Sequence, residues 1–215
     1  MKIKINLNIF LFVALFVLTR QIELYALVML FALIHELGHL VCGLLLGFTP
    51  VSLRILPMGF AVQFKINIKD YNHKIGKSSL LTLKKLAINI AGPFTNILIL
   101  IIASVLHWNA NTIYANLIIF FWNMMPVYPL DGGRIVHNLA KIMVGNYKAR
   151  KIANHISNYF AIGITVVASM AIYYYQNIAI FLAVAILWSL LLYENRRFNT
   201  YNKIYKTIDK QENYS

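Results

Sequence analysis

The sequence predicts an all-α polytopic membrane protein: six transmembrane helices, with a small membrane-associated β-hairpin after the second. Three observations carry that expectation. The first is composition. Of 215 residues, 60% are hydrophobic and 13% charged, and the mean hydropathy is +0.65, whereas a soluble domain carries roughly a quarter charged residues. The second is a series of apolar runs, at about 6–19, 24–46, 86–106, 112–125, 156–175 and 178–193. A helix needs ~20 residues to cross a hydrocarbon core of about 30 Å, so the first, fourth and sixth must tilt or thin the bilayer locally. The third is charge. Six spans put both termini on one side, together with all of the 20 Lys and Arg except Arg20. By the positive-inside rule that side is cytoplasmic.

The net charge of +13 follows from the same bias. It does not indicate nucleic acid, because no basic stripe interleaved with aromatics is present. The single cysteine, Cys42, excludes an internal disulfide framework. Residues 1–193 are expected to form one six-span domain, and 194–215 a short basic cytoplasmic tail.

Lys2 and Lys4 precede the first apolar run as they would in a signal peptide, but no small-residue cleavage site follows, so an uncleaved first span is expected. Residues 19–23 leave room only for a tight hairpin. The second span contains His35-Glu36-Leu37-Gly38-His39. On a helix, residues four apart share a face, so the two imidazoles can grip one cation. Glu36 lies beside the first of them, where it can take a proton from a water activated by that cation. Three fixed residues arise by chance in about one chain in forty of this length. Their setting argues against chance, since a charge at the bilayer centre costs at least ~2.5 kcal/mol and buried ionisable groups there usually have a task. At 1.5 Å per residue, His39 lies roughly 10 Å below the cytoplasmic end of the span, so water needs a cavity to reach it. Cys42 is three residues beyond His39 on the same face. Its short side chain begins ~10 Å along the axis from His35, so small-residue packing suits it better than ligation.

The stretch 47–85 is too polar for a span. Val51–Leu56 and Ala61–Lys65 read as short extended runs around Pro57-Met58-Gly59, a β-hairpin beside the second span. Its free edge can pair with an extended substrate backbone, or it can be a plain surface hairpin. Residues 70–79 read as a solvated basic loop, with His73 a surface residue. In the third span Gly92 and Asn96 share a face. Gly permits close helix approach and Asn can bond across a bundle, which by itself indicates packing.

The fourth span ends in Asn123-Met124-Met125-Pro126-Val127-Tyr128-Pro129-Leu130-Asp131-Gly132-Gly133-Arg134. Broken backbone at membrane depth is tolerated only against protein or a wet cavity. Zinc enzymes of the two-His type add one carboxylate and leave a fourth position open. The other acids, Glu23, Asp70, Glu194, Asp209 and Glu212, lie at span ends or in loops, so elimination leaves Asp131 as third ligand. A turn Asp before Gly-Gly is its bland alternative, and His137 is the nearest competing ligand. Asn123 can donate to the oxyanion formed when water attacks a carbonyl, or cap the broken helix. His107 and His155 lie at span ends.

Together these residues resemble the site-2 protease family of intramembrane zinc metalloproteases. The likeness covers His35 to His39, the Leu56-Pro57-Met58-Gly59 turn, Gly92 to Asn96, and Asn123 to Gly133, most of 24–140. It implies that His35, His39 and Asp131 bind Zn2+, that Glu36 is the general base, and that Asn123 polarises the scissile carbonyl. Gly59, Phe60 and Pro129 would contact substrate. The phrase Pro-x-x-Pro-Leu-Asp-Gly-Gly points to the sporulation branch. That implies a membrane-associated pro-protein substrate, pro-sigma-K, an inactive sigma factor cut near its N-terminus. It also implies inhibitory membrane proteins as partners, a bacterial inner (cell or outer forespore) membrane, and allows a homo-oligomer. No PDZ domain is inserted, and regulation through a C-terminal CBS domain is not expected after 194–215. The competing readings are a site-2 protease acting on another membrane-tethered regulator, a metal transporter using the same ligands, and an inactive scaffold. Transport would favour repeated halves, which the sequence lacks. A scaffold has no need of an intact base.

Overall fold

A computed structural model describes residues 2–18, 20–56, 59–65, 75–128, 130–175 and 189. In chain order the elements are β1 (Lys2–Ile5), α1 (Asn8–Leu18), α2 (Ile22–Leu45), β2 (Thr49–Leu56), β3 (Gly59–Lys65), α3 (Ile75–Val105), α4 (Ala110–Met124), α5 (Asp131–Val144) and α6 (Asn146–Tyr175). They fall into two compact units, residues 1–125 and 126–215.

The first unit is organised around α2. Its buried residues include Ala32, His35, His39 and Gly43, spaced three and four apart, so they form one stripe. On α3 the buried stripe is Ile88, Gly92 and Asn96, and on α4 it is Ala115, Asn116 and Ile119. Phe31, Ala32, Ala115 and Ile119 make a small apolar core, against which Leu27, Val28, Ile34, Phe60 and Ile99 pack. The outward faces are more apolar than the inward ones. Leu37, Val41 and Leu44 of α2 and Phe94, Leu98, Ile101 and Ile102 of α3 are exposed, while His35, His39, Asn96 and Asn116 are buried. Contiguous exposed apolar surface of this kind suits lipid and not water. Among the described residues, two stretches are long and apolar enough to cross a membrane, α2 and Leu80–Val105 within α3.

The extended runs around residue 57 form the expected hairpin, β2 pairing antiparallel with β3 from Thr49↔Lys65 to Leu56↔Gly59. The sheet has a third strand, however. Lys2–Ile5 pairs parallel with Ser52–Ile55, giving the order β1-β2-β3. Lys2-Ile3-Lys4-Ile5 alternates charged and apolar residues, the period-two pattern of a strand. Ser52 Oγ donates to Gln63 Oε1 across the hairpin at 2.9 Å, and the Phe48 and Phe64 rings meet edge-on. Lys84 Nζ caps the C-terminus of α2 by donating to Leu46 O.

In the second unit Asp131 opens α5, with Leu130 extended before it. The break after Asn123 is therefore followed at once by a new helix, which was not expected. Gly133 explains the tight entry: a methyl there would stand 2.5 Å from Tyr128 N and Val127 C. Ser157 of α6 accepts from Tyr128 N at 3.0 Å and donates to Pro126 O at 3.3 Å, fastening the turn to α6. Gly145, at φ 81°, ends α5, and a left-handed residue is the usual helix stop. Six helices are thus described, but not the six expected. α5 is additional, α3 and α6 begin earlier, and the span at 178–193 lies outside the described residues apart from Ser189.

Candidate metal centre

α2 and α3 build the centre of the first unit. His35 and His39 are both buried, and their Nε2 atoms approach to 3.1 Å. Each ring is held from behind. His39 Nδ1 lies 2.6 Å from the carbonyl oxygen of Ile88, and His35 Nδ1 lies 2.8 Å from Asn96 Oδ1. Both partners are acceptors, so each Nδ1 carries the proton and each Nε2 presents a lone pair. Two lone pairs converging at this distance repel unless a cation or proton lies between them. A ring whose far nitrogen is fixed by an acceptor is the usual form of a metal-ligating histidine. The pair therefore fits a cation of the imidazole-binding type.

Gly92 makes room for the rings. A methyl group at this position would stand 2.6 Å from His35 Nε2 and closer still to His39 Nε2. Packing was the sequence reading of Gly92 and Asn96; both in fact touch the imidazoles. The signal was available in their spacing of four, which places them on the α3 face that α2 meets. Ile88 continues the same stripe but contributes only its backbone, which no side-chain motif announces.

Glu36 is next to the pair and half-buried, and its Oε1 accepts the backbone N–H of Val62 in β3. The hairpin is thus joined directly to the helix that carries the histidines. Gly59 opens β3 close to Ala32 of α2, and Phe60 packs on the apolar core. Asn123 lies in the last turn of α4, where its Nδ2 donates to Ile119 O at 3.1 Å. Cys42 is a free thiol of intermediate burial on α2.

In the second unit Asp131 is buried at the N-terminus of α5, with Arg134 Nη1 3.6 Å from its Oδ1. A carboxylate is favoured there by the helix dipole. His137 is edge-on to Tyr128. Six helical residues turn about 240°, so it points away from the face that Asp131 occupies. His107 and His155 are exposed. Pro129 lies outside the described residues.

Residues 103–168 match the family described as Peptidase family M50. The likeness to the site-2 protease family read from the motifs is borne out by that match, which takes in under a third of the chain. Its fold is that of the site-2 protease from Methanocaldococcus jannaschii. The two structures superpose with a TM-score of 0.65 at 22% sequence identity, over 89% of each chain. Among curated proteins, it is 27% identical over 160 residues to stage IV sporulation protein FB of Bacillus subtilis (strain 168). That match takes in 71% of this chain and 52% of that protein. It is 29% identical over 150 residues to zinc metalloprotease MJ0392 of M. jannaschii, over 65% of this chain and 40% of that one. The chain thus spans about half the length of the first curated relative and less of the second.

Proposed function

We propose that this protein is an intramembrane zinc metalloprotease that cleaves a membrane-associated pro-protein. The observation that carries the reading is the convergence of the His35 and His39 Nε2 atoms at 3.1 Å, each ring fixed from behind in an apolar setting. In this reading His35, His39 and Asp131 hold zinc, a two-histidine, one-carboxylate set that leaves a position open. When bound, zinc supplies Lewis acidity that polarises a peptide carbonyl and eases the deprotonation of water.

The chain's own groups do the rest. Glu36 accepts a proton from the attacking water on a carboxylate oxygen, then returns it to the leaving amine. Asn123 turns its amide from Ile119 O toward the carbonyl oxygen as charge develops there. A substrate helix has its carbonyls already bonded, so it must unwind before attack. β3 is an outer strand of the sheet, and its bond to Glu36 sets the carboxylate alongside it. An unwound substrate adding to that strand would lie extended beside the base, with Gly59, Phe60 and Pro129 as contacts.

The similarity to the sporulation protein supports pro-sigma-K as substrate, inhibitory membrane proteins as regulators, and a bacterial inner (cell or outer forespore) membrane as location. Six spans, cytoplasmic termini, a domain over 1–193 with a short basic tail, and self-association belong to the same proposal. The test is co-expression with pro-sigma-K, reading truncation by immunoblot. Wild type should shorten the substrate. Glu36→Gln should not, while retaining zinc. Cleavage that persists with Gln at 36 refutes the proteolytic reading, and zinc uptake into vesicles without proteolysis would favour transport.

A further inference from the structure

Two asparagines that no catalytic role has claimed lie directly behind the metal centre. Asn96 of α3 and Asn116 of α4 are 0% and 1% exposed. In an apolar surround a buried amide donor without a partner is costly, and each of these two amide nitrogens faces the other residue's backbone carbonyl across the helices, though Asn116 Oδ1 is left without a partner. Asn116 Nδ2 donates to Asn96 O at 3.0 Å, and Asn96 Nδ2 faces Asn116 O at 3.5 Å. The second contact has a consequence. A backbone carbonyl can only accept, so it turns the amide nitrogen of Asn96 toward α4 and the amide oxygen toward α2. That oxygen is the one 2.8 Å from His35 Nδ1.

We infer that Asn96, clamped by Asn116, is a positioning residue that sets the tautomer and ring orientation of His35. The order runs from Asn116 O through the Asn96 amide to the His35 Nδ1–H, leaving the Nε2 lone pair aimed at Nε2 of His39. If the Asn96 amide turned over, an N–H would face Nδ1. The ring proton would then move to Nε2, the atom that must bind the cation. Asn116 touches neither histidine, yet it holds the carbonyl that decides which way the amide lies. The same buried pair joins α3 to α4, so it would be easy to mistake for packing alone.

The inference rests on the metal reading for its importance, but its test does not. The first measurement is the 15N spectrum of the imidazoles in the metal-free full chain. Wild type and Asn96→Asp, which keeps an acceptor facing His35, should show His35 in its Nδ1–H form. Asn96→Leu should shift His35 toward the Nε2–H form, and Asn116→Leu should do so in part. The second measurement is zinc affinity by chelator competition. Loss of a partner behind a ligating histidine typically weakens binding 10–100-fold, the loss expected for Asn96→Leu, with Asn96→Asp within a few-fold of wild type. Should Asn96→Leu fail to fold, Asn96→Ala removes the amide without adding bulk and should show the same tautomer change.

An unchanged His35 tautomer in Asn96→Leu, or in Asn96→Ala where that variant stands in, overturns the inference. Equal loss in Asn96→Asp and Asn96→Leu does so as well, since it would mark a role in packing only. A wild type that binds no zinc while showing the predicted tautomers would leave this arrangement standing and remove the metal reading instead.

Discussion

Replacing Gly92 with alanine puts the metal reading at risk with one methyl group. The added carbon would stand 2.6 Å from His35 Nε2, where ordinary contact begins at 3.4 Å. Relieving it requires a displacement of about 0.8 Å, worked from those two distances, against a tolerance of ±0.2 Å for a metal–ligand bond. The rings cannot simply swing aside. Their Nδ1 atoms are tied at 2.6 Å and 2.8 Å to Ile88 O and Asn96 Oδ1. Either those bonds break or α3 backs away from α2. Overpacking of this kind costs typically about 1–3 kcal/mol of stability, so much of the protein should still fold at low temperature. Zinc affinity should fall by more than the roughly 10–100-fold that follows from losing a supporting group alone. The assay is zinc retained after dialysis against a graded chelator, with thermal unfolding in the same detergent as control. Wild-type zinc affinity in Gly92→Ala would show that the cation does not lie where the Nε2 atoms meet.

Two further predictions bear on the proposed third ligand and on the proposed oxyanion donor. Asp131→Asn keeps the shape of the side chain and removes its charge. It should lower zinc affinity at least about tenfold, as expected when a carboxylate ligand becomes a neutral amide, and reduce stability by only about 0.3–1 kcal/mol through the lost dipole interaction at the start of α5. Zinc binding equal to wild type, by the same chelator titration, would remove residue 131 from the ligand set. Asn123→Ala should leave zinc content and unfolding temperature close to wild type, because its bond to Ile119 O is local to one helix turn. Cleavage should nevertheless slow by about 10²–10³-fold in kcat, and an unchanged kcat would assign the side chain to the helix end alone.

The histidine pair was legible because its geometry is local. A spacing of four on one helix is enough to bring two imidazoles to one side, whatever the rest of the chain does. The hairpin was legible for a similar reason, since Ala61 to Lys65 alternates and Pro57 to Gly59 can only turn. What the sequence did not disclose depends on pairing between distant segments. Lys2–Ile5 looked like a charged lead-in, and only its register with Ser52–Ile55 makes it a strand. Asn96 reads as helix packing until the ring of His35 is placed against it. α5 was obscured by its own entry, where prolines and glycines suggested a continued break. Gly133 instead admits the 127–128 backbone beside the new helix, and Asp131 starts that helix.

The bond from Val62 to Glu36 bears on how an inactive form should be made. One carboxylate is both the proposed base and the anchor of the hairpin to its neighbouring helix. Shortening residue 36 to alanine would strip the hairpin of a tether as well as removing the proposed base, so loss of cleavage in that variant would not reveal which change caused it. Glutamine keeps an oxygen for the Val62 amide while discarding the basicity, and is the substitution from which a trapped complex could be trusted.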